Sequence, residues 1–358
     1  MKHRISFFFL TVSLLLMLFP LAGKNNNIPC VWSDIDKVIA VGDIHGDFEQ
    51  FIKILKGTGL TDDQLHWTGG RTHLVQLGDV MDRGDNAKMV FDLIKRLETE
   101  AEEAGGKVHM LLGNHEEVNI TGSAFYFAGY MTLRQFVRFL DPAERLKAER
   151  AFREEKGERV FKNTDPPLPL DDPEVEKFWT EKMNNADFQP KFHNAFYKNY
   201  GKWLLEHNSV IKINDVVFTH GGIAEKHAAM DLVKMNKQIR EELKIVRVIV
   251  LDGRPAKGFY PKFVNQEDSP LWYRDLATRP EDVFEKDVDR ILEALGANYI
   301  VIGHTTYRGQ IRAKEDLSRF DGRIWTIDTG MAARYGGIPT ALIYERGEFS
   351  LWGIKNEQ

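Results

Sequence analysis

The sequence predicts an α/β fold built around short, buried, mostly parallel strands. Short apolar runs alternate with amphipathic helical stretches from Lys37 to Leu112, as in successive βαβ units. Each of those runs ends in a glycine-containing turn that carries polar residues. A third observation concerns the middle of the chain. Residues 122–205 are charged, aromatic and rich in helix formers, which predicts a helical insertion of about that extent.

In chain order, Lys2 and Arg4 precede an apolar run from Ile5 to Phe19, closed by Pro20, Leu21, Ala22 and Gly23. That is the pattern of an export signal, so residues 1–23 are expected to be a signal peptide cut near Ala22 to Lys24. The rest, 31–358, is expected to be one exported domain, periplasmic or secreted, with no membrane contact after cleavage. Retention through an uncleaved anchor is the alternative. Cys30 is the single cysteine, which excludes an internal disulfide, and it is expected to lie inert in the N-terminal tail. The formal net charge of −5 argues against a nucleic-acid partner, which would call for a basic face.

Strands are predicted at Lys37–Val41, His73–Leu77 and Lys107–Leu112. Phe48–Lys56 reads as a helix closed by Gly57 and Gly59. Asn86 caps a longer one through Ala104, with Met89, Val90, Leu93, Ile94 and Leu97 on its apolar face. Strand signals return at Val210–Phe218, Ile245–Leu251, Tyr299–Ile302, Ile324–Ile327, Ala341–Tyr344 and Phe349–Trp352. Asp282–Leu295 reads as a helix with Val283, Ile291, Leu292 and Leu295 inward.

The turns carry the chemistry. After the first three strands come Gly42-Asp43-Ile44-His45-Gly46-Asp47, then Gly78-Asp79-Val80-Met81-Asp82-Arg83-Gly84, then Gly113-Asn114-His115-Glu116. Two later strands end in Thr219-His220-Gly221-Gly222 and Gly303-His304-Thr305. Carboxylate, amide and imidazole groups at several strand ends can converge on one sheet edge. Such a donor set suits Mn, Fe or Zn, and a shared carboxylate suits two ions. Of eleven histidines, four stand at these glycine-flanked strand ends. His66, His73, His109, His193, His207 and His227 have no such setting and are expected to be surface or packing residues. Asp47 and Asp85 are expected to be turn acids.

These five strings, in this order, resemble the calcineurin-like metallophosphoesterases. Asp82-Arg83-Gly84 is similar to the phosphoprotein-phosphatase branch, which also includes dinucleoside polyphosphate hydrolases. Pro270-Leu271-Trp272-Tyr273-Arg274 and Asp328-Thr329-Gly330-Met331 resemble the Shewanella-like protein phosphatases. The resemblance implies a β-sandwich flanked by helices and two divalent metal ions at the strand ends. It implies Asp43, His45 and Asp79 as ligands of the first ion, and Asp79, Asn114, His220 and His304 as ligands of the second. It further implies in-line attack of a metal-bridging hydroxide on a phosphate monoester, His115 as general acid oriented by Asp82, and Arg83 and Arg274 as phosphate-binding residues. The substrate would be a phosphorylated protein, a peptide or a small phosphate ester. Phosphotyrosine and phosphoserine or phosphothreonine stay open, and a dinucleoside polyphosphate hydrolase or an inactive metal-binding scaffold are the alternatives. Trp272 and Tyr273 could stack on an aromatic leaving group or simply pack. Residues 122–205 are expected to roof the site.

Overall fold

The computed structural model describes residues 28–156, 167–253, 258–307, 309 and 311–353; the segment read as a signal peptide lies outside them. The strands are β1 (Val31–Trp32), β2 (Lys37–Val41), β3 (His73–Gln76), β4 (Lys107–Met110), β5 (Val210–Ile213), β6 (Val216–Thr219), β7 (Tyr299–Ile302), β8 (Ser318–Arg319), β9 (Ile324–Thr326), β10 (Ala341–Glu345) and β11 (Glu348–Trp352). They form two sheets, ordered β11-β10-β2-β3-β4 and β1-β5-β6-β7-β9-β8. Within each, the strands that lead to the polar turns run parallel: β2, β3 and β4 in one sheet, β6, β7 and β9 in the other.

The two faces of each strand explain why these runs read as continuously apolar. Val38, Ala40, Val75 and Leu77 pack between the sheets against Ile211, Phe218 and Val301. Ile39, Val41 and Leu74 point the other way, into a core shared with the helices Phe48–Gly57 and Ala87–Glu103. A strand buried on both faces has no polar alternation. Each fully buried Val, Leu or Ile contributes about 1.5–3 kcal/mol, so the sandwich is a firm base for its turns. The expected β-sandwich with helices on its outer faces is therefore the fold found.

Several expectations need correction. Ile245–Leu251 is not a strand; it is the end of a helix spanning Leu232–Asp252. Its β-branched residues favour a strand locally. However, Asp231 caps the helix start, and Met235, Ile239, Leu243 and Val246 bury one continuous face, which overrides that preference. Val210–Phe218 is a hairpin, β5 and β6, turned at Asn214 with φ of 56°. Val283 is 60 % exposed and Met89 45 % exposed, one position off the buried stripes of their helices. Cys30 is not in a loose tail but buried between the sheets, where its carbonyl accepts from Lys212 N.

Within 122–205 the chain folds into helices Leu133–Phe139, Pro142–Lys156, Pro173–Met183, Gln189–Phe196 and Lys202–Leu204. They pack through Phe136, Phe139, Trp179, Phe192 and Phe196, all buried. The stretch 122–132 precedes them, and it returns the chain to the strand ends. Among the described residues no helix is long and apolar enough to cross a membrane.

Candidate active site

The structure brings the sequence-predicted site residues together at the ends of β2, β3, β4, β6 and β7. Asp43 and His45 follow β2, and Asp79, Asp82 and Arg83 follow β3. Asn114 and His115 open the helix Asn114–Thr121, while His220 and His304 follow β6 and β7. These turns are tight. His45, Asp79, Asp82, Arg83 and His304 have φ of 46°, 54°, 67°, 68° and 63°. Non-glycine residues in that left-handed region cost on the order of 1–3 kcal/mol each, and they persist only where surroundings hold them.

The surroundings do hold them. Ile44 N and His45 N both donate to Asp79 O, at 3.1 and 2.9 Å. Asp82 N donates to Gln135 Oε1 at 2.7 Å and Arg83 N to Tyr130 O at 2.8 Å. The wholly buried Glu116 carboxylate accepts from Asp79 N, Val80 N, Met81 N and Gly113 N at 2.7–3.1 Å. Glycine is required at two close approaches: a Cβ on Gly113 would strike the Asp79 carboxylate, and one on Gly303 the Asp43 carboxylate.

Three histidines each commit one ring nitrogen to a backbone carbonyl and turn the other toward the centre. His45 Nδ1 lies 3.0 Å from Met81 O, His220 Nδ1 2.8 Å from Leu77 O, and His304 Nε2 3.1 Å from Trp272 O. In the neutral ring an N–H held by a carbonyl leaves the other nitrogen to give its lone pair to a metal, which displaces any second proton there, as in metal-ligating imidazoles. His45 Nε2 faces Asp43 Oδ2 at 3.9 Å and Asp79 Oδ2 at 3.8 Å. His220 Nε2 sits 3.0 Å from Asn114 Oδ1, 3.3 Å from Asp79 Oδ1 and 3.1 Å from His304 Nδ1. Two lone pairs that close, beside an amide and a carboxylate oxygen, suit a shared cation. His45, Asp79 and His115 form one group with ligand atoms mutually within 4.8 Å; Asp79, His220 and His304 form a second. Asp79 belongs to both.

Charge tells the same story. Asp43, Asp79 and Asp328 are buried together. Burial first, then Asp328, pushes the Asp43 carboxyl well above its usual range. Burial acts on Asp79 the same way, but His220 and His115 outweigh it and hold that carboxyl well below. His220 is pushed up to about 9, burial being overcome by Asp79 and Asp43. Burial lowers His45 to about 4. The pocket thus draws positive charge to its centre while keeping His45 neutral. These residues fit two divalent cations.

His115 differs from the other histidines. Its Nδ1 lies 2.7 Å from Asp82 Oδ2, and its Nε2 faces Asp79 Oδ2 at 3.8 Å. Asp82 also accepts from Gln135 Nε2 at 2.6 Å and Asn119 Nδ2 at 3.0 Å. Burial works against a charge on His115, yet Asp79 and Asp82 raise it above the usual value. Arg83 Nη1 donates to Gly129 O at 2.9 Å, while its buried Nε has no protein acceptor. Arg274 Nη1 donates to His304 O and Thr305 Oγ1, both at 3.0 Å.

Residues 36–307 match the family described as calcineurin-like phosphoesterase. The chain belongs to the calcineurin-like phosphoesterases. Within that family it is similar to Shewanella-like protein phosphatase 1 of Plasmodium berghei (strain Anka), 27 % identical over 304 residues, 83 % of this chain and 67 % of that protein. It is likewise similar to Shewanella-like protein phosphatase 2 of Arabidopsis thaliana, 27 % identical over 295 residues, 79 % of this chain and 70 % of that one. Among solved structures, the cold-active protein-tyrosine phosphatase of a psychrophile Shewanella sp. shares the fold, with a TM-score of 0.65 and 24 % identity over 92 % of this chain and 84 % of that one. The resemblance drawn from the five strings is the family found.

Sequence reasoning missed several contributors to this calcineurin-like phosphoesterase site. Tyr130 stacks on His115 with ring centroids 4.2 Å apart. Tyr335 approaches His45 at 5.6 Å. Asp328 accepts from Thr306 Oγ1 at 2.7 Å and faces Asp43 electrostatically. Gln135 and Asn119 brace Asp82. Asp328 stood in a string already noted, but an acid before Thr and Gly equally suits a turn. Nothing local marks the aromatic residues. Trp272 is half-buried, with its Nε1 donating to Glu117 Oε2 at 3.0 Å, while Tyr273 is buried.

Proposed function

We propose that this chain hydrolyses phosphate monoesters, with phosphotyrosine-bearing proteins or peptides as its preferred substrates. The observation that carries the reading is His115, clamped by Asp82 on one nitrogen and facing the Asp79 centre with the other. Two divalent cations held by Asp43, His45, Asp79, Asn114, His220 and His304 would polarise a phosphoryl oxygen and lower the pKa of a water. The protein's own groups do the rest. His115 Nε2–H delivers its proton to the leaving oxygen, and Asp82 fixes the ring while it does so. Arg83 and Arg274, whose guanidinium groups stand beside His115 and His304, bind the non-bridging oxygens. A general acid of this kind is worth roughly 10²–10⁴ in rate.

The preference for an aryl ester rests on the rings at the rim. Phe127 and Trp272 lie 6.4 Å apart, and Trp272 is 6.0 Å from His304. Tyr335 is 41 % exposed beside His45. Such surfaces favour a flat leaving group over an alkyl one. The names of the two relatives, both protein phosphatases, agree with a phosphoprotein substrate. The basic and apolar leader supports action outside the cytoplasm, which N-terminal sequencing of an exported fraction would test.

The deciding experiment is phosphate release by the metal-loaded protein from matched phosphotyrosine and phosphoserine peptides and from diadenosine tetraphosphate, with Asp79→Asn as control. Release from phosphotyrosine peptide, lost in the control, is expected. Cleavage of the dinucleotide alone would make the protein a nucleotide hydrolase. No release from any of them, with metal bound, would make it a scaffold.

A further inference from the structure

The loop that joins the catalytic helix Asn114–Thr121 to the first inserted helix, Leu133–Phe139, carries Phe127, Gly129 and Tyr130. Its contacts with the site are specific. The Tyr130 ring lies parallel to the His115 imidazole, 4.2 Å between centroids and 26° between planes. The Arg83 guanidinium sits 4.3 Å from the same ring. Phe127 stacks on Tyr130 at 4.9 Å and 21°. The backbone closes the arrangement: Arg83 N donates to Tyr130 O at 2.8 Å, and Arg83 Nη1 to Gly129 O at 2.9 Å.

We propose that Tyr130 is a positioning residue that sets the proposed proton donor His115 and the proposed phosphate-binding Arg83 relative to one another. The proposal rests on the phosphatase reading above and gives the inserted segment a share in the active site. Its logic is geometric. The His115 ring makes one hydrogen bond, Nδ1 to Asp82, which sets its direction, and it meets His45 edge-on at 4.8 Å between centroids; a ring so held can still tilt about that bond. A ring stacked on its face removes that freedom. Arg83 has a long side chain whose backbone already stands at φ 68°. The π face of Tyr130 and the Gly129 carbonyl confine its guanidinium. One ring therefore determines both where the leaving oxygen finds its proton and where the phosphate is gripped. The Tyr130 hydroxyl has no part in these contacts, so the ring face is what counts.

The test compares Tyr130→Leu, Tyr130→Ala and Tyr130→Phe in the metal-loaded protein. Two readouts are followed: kcat and KM on 4-nitrophenyl phosphate against a phenyl or alkyl phosphate, and affinity for inorganic phosphate by calorimetry. A poor leaving group depends on the proton donor more than a good one does. Tyr130→Leu and Tyr130→Ala are expected to lower kcat roughly 10- to 100-fold on the poor leaving group and much less on 4-nitrophenyl phosphate. They should also weaken phosphate binding, and Tyr130→Phe should restore both. Leu keeps the bulk without the ring face, so it answers should Ala fail to fold. Equal losses on all esters with unchanged phosphate affinity would overturn the proposal and leave a packing role. So would a Leu variant matching the native protein. If the native protein hydrolyses no ester, the phosphatase reading fails. The calorimetric comparison of native and Leu forms still decides whether the ring sets Arg83.

Discussion

Asp82 Oδ2 lies 2.7 Å from His115 Nδ1, and both side chains are buried at the same strand end. The other Asp82 oxygen accepts from Gln135, and Asn119 Nδ2 shares Oδ2 with His115. A carboxylate held at both oxygens cannot follow the imidazole; it orients it. Asp82→Asn removes the carboxylate charge that favours the protonated ring, and an amide NH2 turned toward Nδ1 leaves a neutral imidazole whose Nε2–H is a far weaker acid. We expect kcat to fall by about 10²–10⁴ on phosphotyrosine peptides, with a smaller loss on 4-nitrophenyl phosphate. An equal loss on both would show that Asp82 acts on something other than the proton transfer.

Asp79 belongs to both candidate ligand groups, with Oδ2 toward His45 and His115 and Oδ1 toward His220. Removing its charge should therefore cost two ions rather than one. Metal analysis after dialysis should give two equivalents for the native protein and fewer than one for Asp79→Asn. For His304→Ala, which belongs to one group only, about one equivalent should remain. One full equivalent in Asp79→Asn would break the shared-ligand arrangement. Stripping metal from the native protein should lower its Tm, because ions that bind only the folded chain stabilise it by mass action.

How much of this was legible beforehand follows from where each signal resides. Asp43, His45, Asp79, Asn114, His220 and His304 were visible because each ends or follows an apolar run buried on both faces. Such a run is unmistakable in composition. The strand assigned to Ile245–Leu251 failed because β-branched residues decide nothing once Met235, Ile239 and Leu243 bury a helical face. Tyr130 and Tyr335 were invisible for another reason. They reach the site from loops whose paths depend on tertiary contacts, such as Arg83 N to Tyr130 O and Ala333 N to Asp47 Oδ2. The left-handed backbone at five site residues has only a weak signature in residue type: His45, Asp79, Asp82 and His304 are of kinds that enter that region more readily than most, but Arg83 is not.

His73 and His109 form a buried cross-strand pair far along the strands from the site, with Nε2 of His109 3.0 Å from Nδ1 of His73 and Trp32 against both rings. Burial, then the nearby Lys107, lowers His73 to about 4; burial, then His73, holds His109 well below the usual value. In the unfolded chain both rings titrate near 6.5. Between about 6.5 and 4 the unfolded state therefore binds more protons, and stability falls as pH falls through that window. Urea midpoints of the metal-free protein at pH 7.5, 6 and 5 should decline more steeply than those of a His73→Gln, His109→Gln double variant. Parallel declines would show that these rings do not carry the acid sensitivity.

Glu117 reaches the candidate metal site without touching it. Its Oε2 accepts from Trp272 Nε1 at 3.0 Å and its Oε1 from Asn265 N at 2.8 Å, pinning the segment 265–272 to the helix Asn114–Thr121. The Trp272 carbonyl in turn holds His304 Nε2 at 3.1 Å, which presents Nδ1 toward His220. Partners of a ligating histidine typically change metal affinity by about 10–100-fold when removed. Trp272→Phe keeps the ring and the carbonyl but deletes the bond to Glu117; Glu117→Ala deletes the same bond from the other side. If that bond positions His304, each variant should weaken one of the two metal sites, and the double variant should be little worse than either alone. Calorimetric titration with Mn²⁺ reads this directly. Additive losses would mean that Glu117 and Trp272 act separately, through Asn265 and through ring packing, because independent sites add.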